Sequence, residues 1–212
     1  MDNESSKTLF LIDFSCKLNK SCALDTYRLL LLTRFRPAFK ELPMLKVAPV
    51  FASVGSELLI TKVREPSGWL SNMSPHPVSY GGKRWRTCEA LFQALRLKYE
   101  DAKEVIRKES SPMAAKMVAK RFRGIQVVEP MSKADLANMR LCIWLKLDQH
   151  GLLRRKLFRT GQSKIIEDCS SRGARGSNLF WGAMRVPEGW QGENRLGRIW
   201  EEMRVVLRDA MK

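Results

Sequence analysis

Trp85-Arg-Thr-Cys-Glu-Ala-Leu-Phe-Gln-Ala-Leu-Arg96 is the stretch on which the reading of this chain turns. Thr87 suits a helix N-cap, and Glu89 then falls in the first turn, where the helix dipole favours a carboxylate. Successive helical residues rotate by roughly 100°, so steps of four and seven return to one side. Glu89, Gln93 and Arg96 therefore share a face, rooted beside Trp85, while Leu91, Phe92 and Leu95 fill others. Two readings compete. One is a polar site cut into an apolar helix. The other is a solvated stripe of ordinary i,i+3 and i,i+4 pairs.

Upstream of this helix, Gly81-Gly82 lies between Pro77–Tyr80 and Lys83–Trp85, the pattern of a short antiparallel hairpin. Ser56 to Arg64 has strand-like content. Downstream, the pattern predicts helices over 102–108, from Pro112 to about Phe122 capped by Ser111, and over 132–149. The 132–149 helix places Leu136, Met139, Ile143 and Leu147 on one face. Further helices are expected at 152–159, closed by Gly161, and at 193–211, with Leu196, Ile199, Met203 and Val206 inward. Ile165–Glu167 and Leu179–Trp181 read as short strands. The sum is a helix-rich α+β single domain with a small antiparallel sheet. Residues 1–50 differ, mixing Lys, Arg, Leu and Pro without a period. They read as a poorly ordered extension, and Met44 as a candidate translation start, with a basic arm as the alternative.

The 212 residues suit one domain plus an extension, and 44% hydrophobic content suffices for a core. A formal charge of +16 points to an anionic partner, either nucleic acid through a basic surface or a phosphorylated small molecule. The five cysteines have no framework spacing, so a reducing, cytoplasmic setting is expected. His76 and His150 are the two histidines, and neither has metal-ligand spacing to Cys or a carboxylate. No metal site is expected. Apolar runs such as Leu29 to Leu32 are too short to span a bilayer. Asp13 and Lys17 interrupt the early apolar stretch, so no signal peptide is expected.

Other blocks flank the helix: Gly68-Trp-Leu-Ser-Asn-Met-Ser-Pro75, Ser111-Pro-Met-Ala-Ala-Lys116, Thr160-Gly161, Ile165-Ile-Glu-Asp168, Phe180-Trp-Gly182, Gly192-Glu-Asn-Arg-Leu-Gly197 and Met203-Arg204. In order and spacing they resemble the NADAR family of YbiA-like N-glycosidases, over about residues 57–210. That family reads S-N-F-S-P, then G-x-x-W-x-T-x-E-H-x-F-Q-A-x-K, S-P-x-x-A-K, T-G near L-V-E, W-G, G-x-N-x-L-G and M-x-x-R. The resemblance implies cleavage of a bond between ribose and a base-like amine, without a cofactor. The implied substrates are ADP-ribose on guanine, including in nucleic acid, and ribosylated intermediates of riboflavin synthesis.

Breaking an N-glycosidic bond builds positive charge on the anomeric carbon, which a carboxylate stabilises. Glu89 matches the family's W-x-T-x-E glutamate and Glu167 its L-V-E glutamate. Asp168 follows Glu167; neighbours on a strand end point to opposite faces, so one of the two is expected to face a pocket. Lys116 matches the A-K lysine and offers an amine. For substrate binding the resemblance nominates Ser71, Asn72, Trp85, Gln93, Trp181, Gly182 and, more weakly, Asn194, which also suits a cap of the last helix. The residue types fit. An asparagine amide reads a base edge or ribose hydroxyl, and an indole stacks on either. The competing readings are a turn cap for Asn72, core packing for Trp181 and a solvated strand end for Glu167 and Asp168.

Three departures bear on mechanism. Arg96 replaces the family lysine, and a guanidinium cannot form a Schiff base; it would instead grip a phosphate with its fork. Ala90 replaces a histidine and Asn178 an aspartate. The basic segment 170–177 reads as a loop, with a phosphate grip as one use. The rival from another class is a non-catalytic binder of ADP-ribose, nucleotide or ADP-ribosylated nucleic acid, which Arg96 and Ala90 favour. A third is a plain sequence-independent DNA binder.

Overall fold

The computed structural model describes residues 55–209 and the backbone of Val50 and Phe51. The expectations for the N-terminal extension and for Met44 otherwise fall outside the described residues. In chain order the strands are β1 (Val50–Phe51), β2 (Glu57–Ile60), β3 (Val78–Tyr80), β4 (Lys83–Trp85), β5 (Lys164–Glu167), β6 (Met184–Val186) and β7 (Gly189–Gln191). The helices are α1 (Cys88–Leu95), α2 (Glu100–Lys108), α3 (Pro112–Ala119), α4 (Lys133–Gln149), α5 (Gly151–Arg159), α6 (Gly176–Trp181) and α7 (Arg195–Asp209). The fold is α+β and helix-rich.

Local chemistry sets the helix starts. Thr87, Ser111 and Ser132 accept hydrogen bonds from Ala90 N, Ala114 N and Asp135 N. Each cap satisfies one of the orphan donors of a first turn. Gly161, in the left-handed region at φ 59°, ends the α5 segment as its position predicts. Leu70, Leu91, Ile106, Ile143, Leu157, Ile165, Ile199 and Trp200 form the buried centre where α1, α2, α4, α5 and α7 meet.

The strands make three small sheets. β1, β7 and β6 pair antiparallel, and β3 and β4 form the expected hairpin. β2 and β5 pair in parallel, Leu59 opposite Ile166 and Ile60 opposite Glu167. A parallel pair needs a long crossover, and here the helical layer α1–α5 supplies it. That pair was not part of the expected antiparallel sheet. Alternation on β5 sends Ile165 into the main core and Ile166 into a second cluster with Ala183 and Trp190.

Leu179–Trp181 is not a strand. It ends α6, where Gly182 N closes onto Asn178 O at 2.8 Å. A strand would send Phe180 and Trp181 to opposite faces, whereas the helix sets the two rings edge to face at 4.9 Å.

His76 and His150 pack edge to face at 5.4 Å, and His76 Nδ1 meets Ser74 Oγ at 3.0 Å. Burial, then the charges of Lys146, His150 and Lys156, push the His76 pKa down to about 4. The unfolded chain thus binds the extra proton between about pH 6.5 and 4. The resulting stability is complete above the upper value and is lost as pH falls towards the lower one. His76→Asn should flatten this part of the pH dependence of the urea midpoint. An unchanged slope would contradict the assignment.

Candidate active site

The helix α1 starts at the Thr87 cap, which puts Glu89 in its first turn. Glu89 N donates to Asn72 O at 3.0 Å, fixing that turn to the preceding loop. Glu89, Gln93 and Arg96 are only 6%, 6% and 9% exposed, so the solvated-stripe reading fails. They form a chain of hydrogen bonds. Gln93 Nε2 donates to Glu89 Oε1 at 2.9 Å, and Arg96 Nη1 donates to Gln93 Oε1 at 3.3 Å. Arg96 Nε and Nη2 close on the Asp135 carboxylate at 2.8 and 2.7 Å. Asp135 is fully buried and also accepts from Met131 N at 2.8 Å. The guanidinium lies 4.4 Å from the centre of the Phe92 ring.

The chain has a direction. Asp135 neutralises and aligns Arg96; Arg96 claims the Gln93 oxygen, so the Gln93 amide must present its N–H to Glu89. Glu89 is thereby favoured as an acceptor. Among the described residues nothing donates to its Oε2.

A cleft of about 960 Å³ opens over Glu89. Ser71, Asn72, Gln93, Arg96, Lys116, Glu167 and Trp181 line it with Glu89. Lys116 Nζ stands 4.0 Å from Glu89 Oε1. Asn72 is buried; its Nδ2 donates to Met139 Sδ at 2.8 Å, and its Oδ1 has no donor among the described residues. Trp181 is held edge to face on Phe92 at 5.5 Å. Glu167, 17% exposed, accepts from Arg172 Nη2 at 2.9 Å. Burial raises its pKa above the usual carboxylate value; Arg172 opposes this and the Glu89 charge adds to it.

The NADAR domain model matches residues 59–208. The chain belongs to the NADAR family. It is 33% identical over 143 residues to "N-glycosidase YbiA" of Escherichia coli (strain K12), covering 66% of this chain and 81% of that protein. The protein of the same name from Shigella boydii serotype 4 (strain Sb227) is 33% identical over 141 residues, with the same coverage. The NMR structure of the E. coli protein YbiA superposes with a TM-score of 0.61 at 28% identity, covering 78% of this chain and 92% of that one.

Within this NADAR domain five expectations need correction. Arg96 lines the cleft, but the Nε/Nη2 edge of its fork is taken by Asp135 and an Nη1 N–H by Gln93, so its main role is in this relay and not in a free phosphate fork. Trp85 is buried in the core with its indole N–H on Tyr80 O at 3.4 Å, away from the cleft lining. Asp168 turns from the cleft, as strand alternation requires for one of the pair, and its Oδ1 accepts from Ser170 N at 2.8 Å. Gly182 is needed for backbone packing and not for ligand approach: a Cβ there would lie 2.3 Å from Glu167 O. Asn194 neither lines the cleft nor caps α7 with its side chain. It is buried at φ 49°, with Oδ1 accepting from Glu167 N at 2.9 Å and Nδ2 donating to Ile165 O at 2.7 Å. It holds the strand that carries Glu167.

The basic segment 170–177 is only partly a loop, with a 3-10 turn at Ser170–Arg172 and the start of α6 at Gly176, and its Arg172 and Arg175 line the cleft together with Asn178. Asn178 Nδ2 donates to Arg172 O and Gly173 O, both at 3.1 Å, bracing that loop. The sequence did not single out Asp135 or Lys146, and it marked Arg172 only as part of the basic segment 170–177. Asp135 had one signal, its place three residues after the Ser132 cap, which indicates a helix start but not a buried partner.

Removing one member of a buried ion pair strands the other. Arg96→Met should lower the unfolding free energy by about 3–5 kcal/mol, measured in urea. Replacing Asp135 by Leu in the same protein should recover much of that loss. A single-variant loss below about 1 kcal/mol would show that the pair is not buried as described.

Proposed function

We propose that this protein hydrolyses the N-glycosidic bond between ribose and a base-like amine, with ADP-ribose on guanine in nucleic acid as the preferred substrate. Ribosylated riboflavin-pathway intermediates are the second substrate class. The observation that carries the reading is Glu89: a buried carboxylate lining a large cleft, aligned through Gln93 and Arg96, with one oxygen that no group among the described residues donates to. Family membership and the names of the YbiA relatives support the same chemistry.

The residues divide the work. As the bond breaks, its electron pair goes to the leaving base, and the ribose carbon becomes positive. Glu89 supplies the negative charge that lowers this barrier, and it then accepts the proton of the water whose oxygen bonds to the ribose carbon. Glu167, whose pKa burial raises, is the proton donor to the base. Two carboxyl groups in different environments thereby take different roles. Asn72 and Trp181 hold the ribose and base. The rim carries Lys62, Lys120, Arg123, Arg172 and Arg175, a field suited to a pyrophosphate and a nucleic-acid backbone. A lone ribose phosphate would not need so many cations, which is why the larger substrate is preferred.

Lys116 is the amine within reach of the same carbon, and Glu89 is placed to take its proton. Borohydride added during turnover separates the routes: an adduct trapped on Lys116 means attack by the amine, and no adduct means direct attack by water.

Incubation with guanine-ADP-ribosylated DNA, read by mass spectrometry, should release ADP-ribose. Glu89→Gln should release none while still binding ADP-ribose. Binding without turnover in the unmodified protein would instead make it a binding module.

A further inference from the structure

On α4, positions 139, 142, 143, 146 and 147 recur at steps of three and four and face inward. Four are Met, Cys, Ile and Leu; the fifth is Lys146, which is completely buried. Its Nζ donates to Trp69 O at 2.5 Å, Ser71 O at 2.9 Å and Ser74 Oγ at 2.6 Å. These match the three donors of an ammonium. The Trp200 ring lies 5.5 Å from Nζ.

All three acceptors belong to one loop. Its successive carbonyls are each claimed from elsewhere in the fold. Trp69 O and Ser71 O take Lys146, Leu70 O takes the Trp200 indole at 3.0 Å, and Asn72 O takes Glu89 N at 3.0 Å. The loop is a strap held by α4, α7 and α1. It presents Ser71 and Asn72 to the cleft and meets the turn that carries Glu89.

Among the described residues no carboxylate pairs with Lys146, and a buried charge so placed is a poor way to gain stability, since an apolar side chain of similar volume is often no worse. Burial also pulls the Lys146 pKa down to about 8, the mark of that penalty. A positional role accounts for the expense. We propose that Lys146 is a positioning residue whose ammonium ties down the 69–74 strap, so that Ser71, Asn72 and the Glu89 turn stay in register with the cleft. The catalytic consequence rests on the N-glycosidase reading; the mechanical link does not.

The test is amide hydrogen exchange by NMR on full-length Lys146→Met, following Glu89 in α1 and Ile199 in α7. The expected result is exchange at least about tenfold faster at Glu89, with Ile199 unchanged. No change at Glu89, or equal acceleration at both sites, would overturn the proposal, the second because it reports general destabilisation. Ser74→Ala removes one acceptor while keeping the lysine. It should quicken Glu89 in the same selective way, and decides the matter if the methionine variant does not fold; an unchanged Glu89 there would overturn the proposal. Where the unmodified protein releases ADP-ribose, kcat in Lys146→Met should fall about tenfold, and an unchanged kcat would overturn the catalytic link. Absence of release by the unmodified protein, from both guanine-ADP-ribosylated DNA and ribosylated riboflavin-pathway intermediates, would sink the glycosidase reading and leave the exchange test standing.

Discussion

The bidentate pair of Arg96 with buried Asp135 is the interaction on which the rest of the site depends. Without Asp135, a guanidinium at the end of α1 would be an uncompensated buried charge, and it would be free to turn towards the cleft. With it, Arg96 is held by two hydrogen bonds, and an Nη1 N–H fixes which way the Gln93 amide points. The effect passes along α1 to Glu89, seven residues back on the same face. The pair also joins two helices that are distant in sequence, since Asp135 opens α4 and Arg96 closes α1.

The opposing wall is built by different means. Glu167 ends β5, and β5 is fixed by parallel pairing with β2, by the Asn194 side chain and by the close approach of Gly182. Gly197 adds to this: a Cβ there would lie 2.0 Å from Ile165 O, so α7 packs directly on the strand. The two carboxylates of the cleft thus come from separate parts of the fold, one held by a polar relay and one by backbone packing. Their environments differ accordingly. Glu89 receives an amide and faces Lys116, whereas burial and the neighbouring Glu89 charge raise the Glu167 pKa.

Much of this was legible in the sequence because it follows from short-range rules. Helix starts at Thr87, Ser111 and Ser132, the Gly81-Gly82 hairpin and the shared face of Glu89, Gln93 and Arg96 depend on residues within a few positions. What was misread depends on partners far along the chain. Arg96 looked like a phosphate fork because Asp135, 39 residues away, leaves no mark in the helix that it neutralises. Asn194 looked like a cap or a ligand because its real partners, Ile165 and Glu167, lie on another element. Leu179–Trp181 looked like a strand because an apolar triplet has no period to betray it. Lys146 was legible in principle: it sits where the α4 stripe of Met139, Cys142 and Ile143 calls for an apolar residue.

The most direct test of the account is a crystal structure of Glu89→Gln soaked with ADP-ribose. The account predicts the distal ribose with its anomeric carbon against the residue 89 amide, Lys116 beside it and the pyrophosphate on the basic rim. Electron density for ADP-ribose elsewhere, such as in the basic cleft formed by Arg155, Lys156 and Arg159 beside His150, would contradict it.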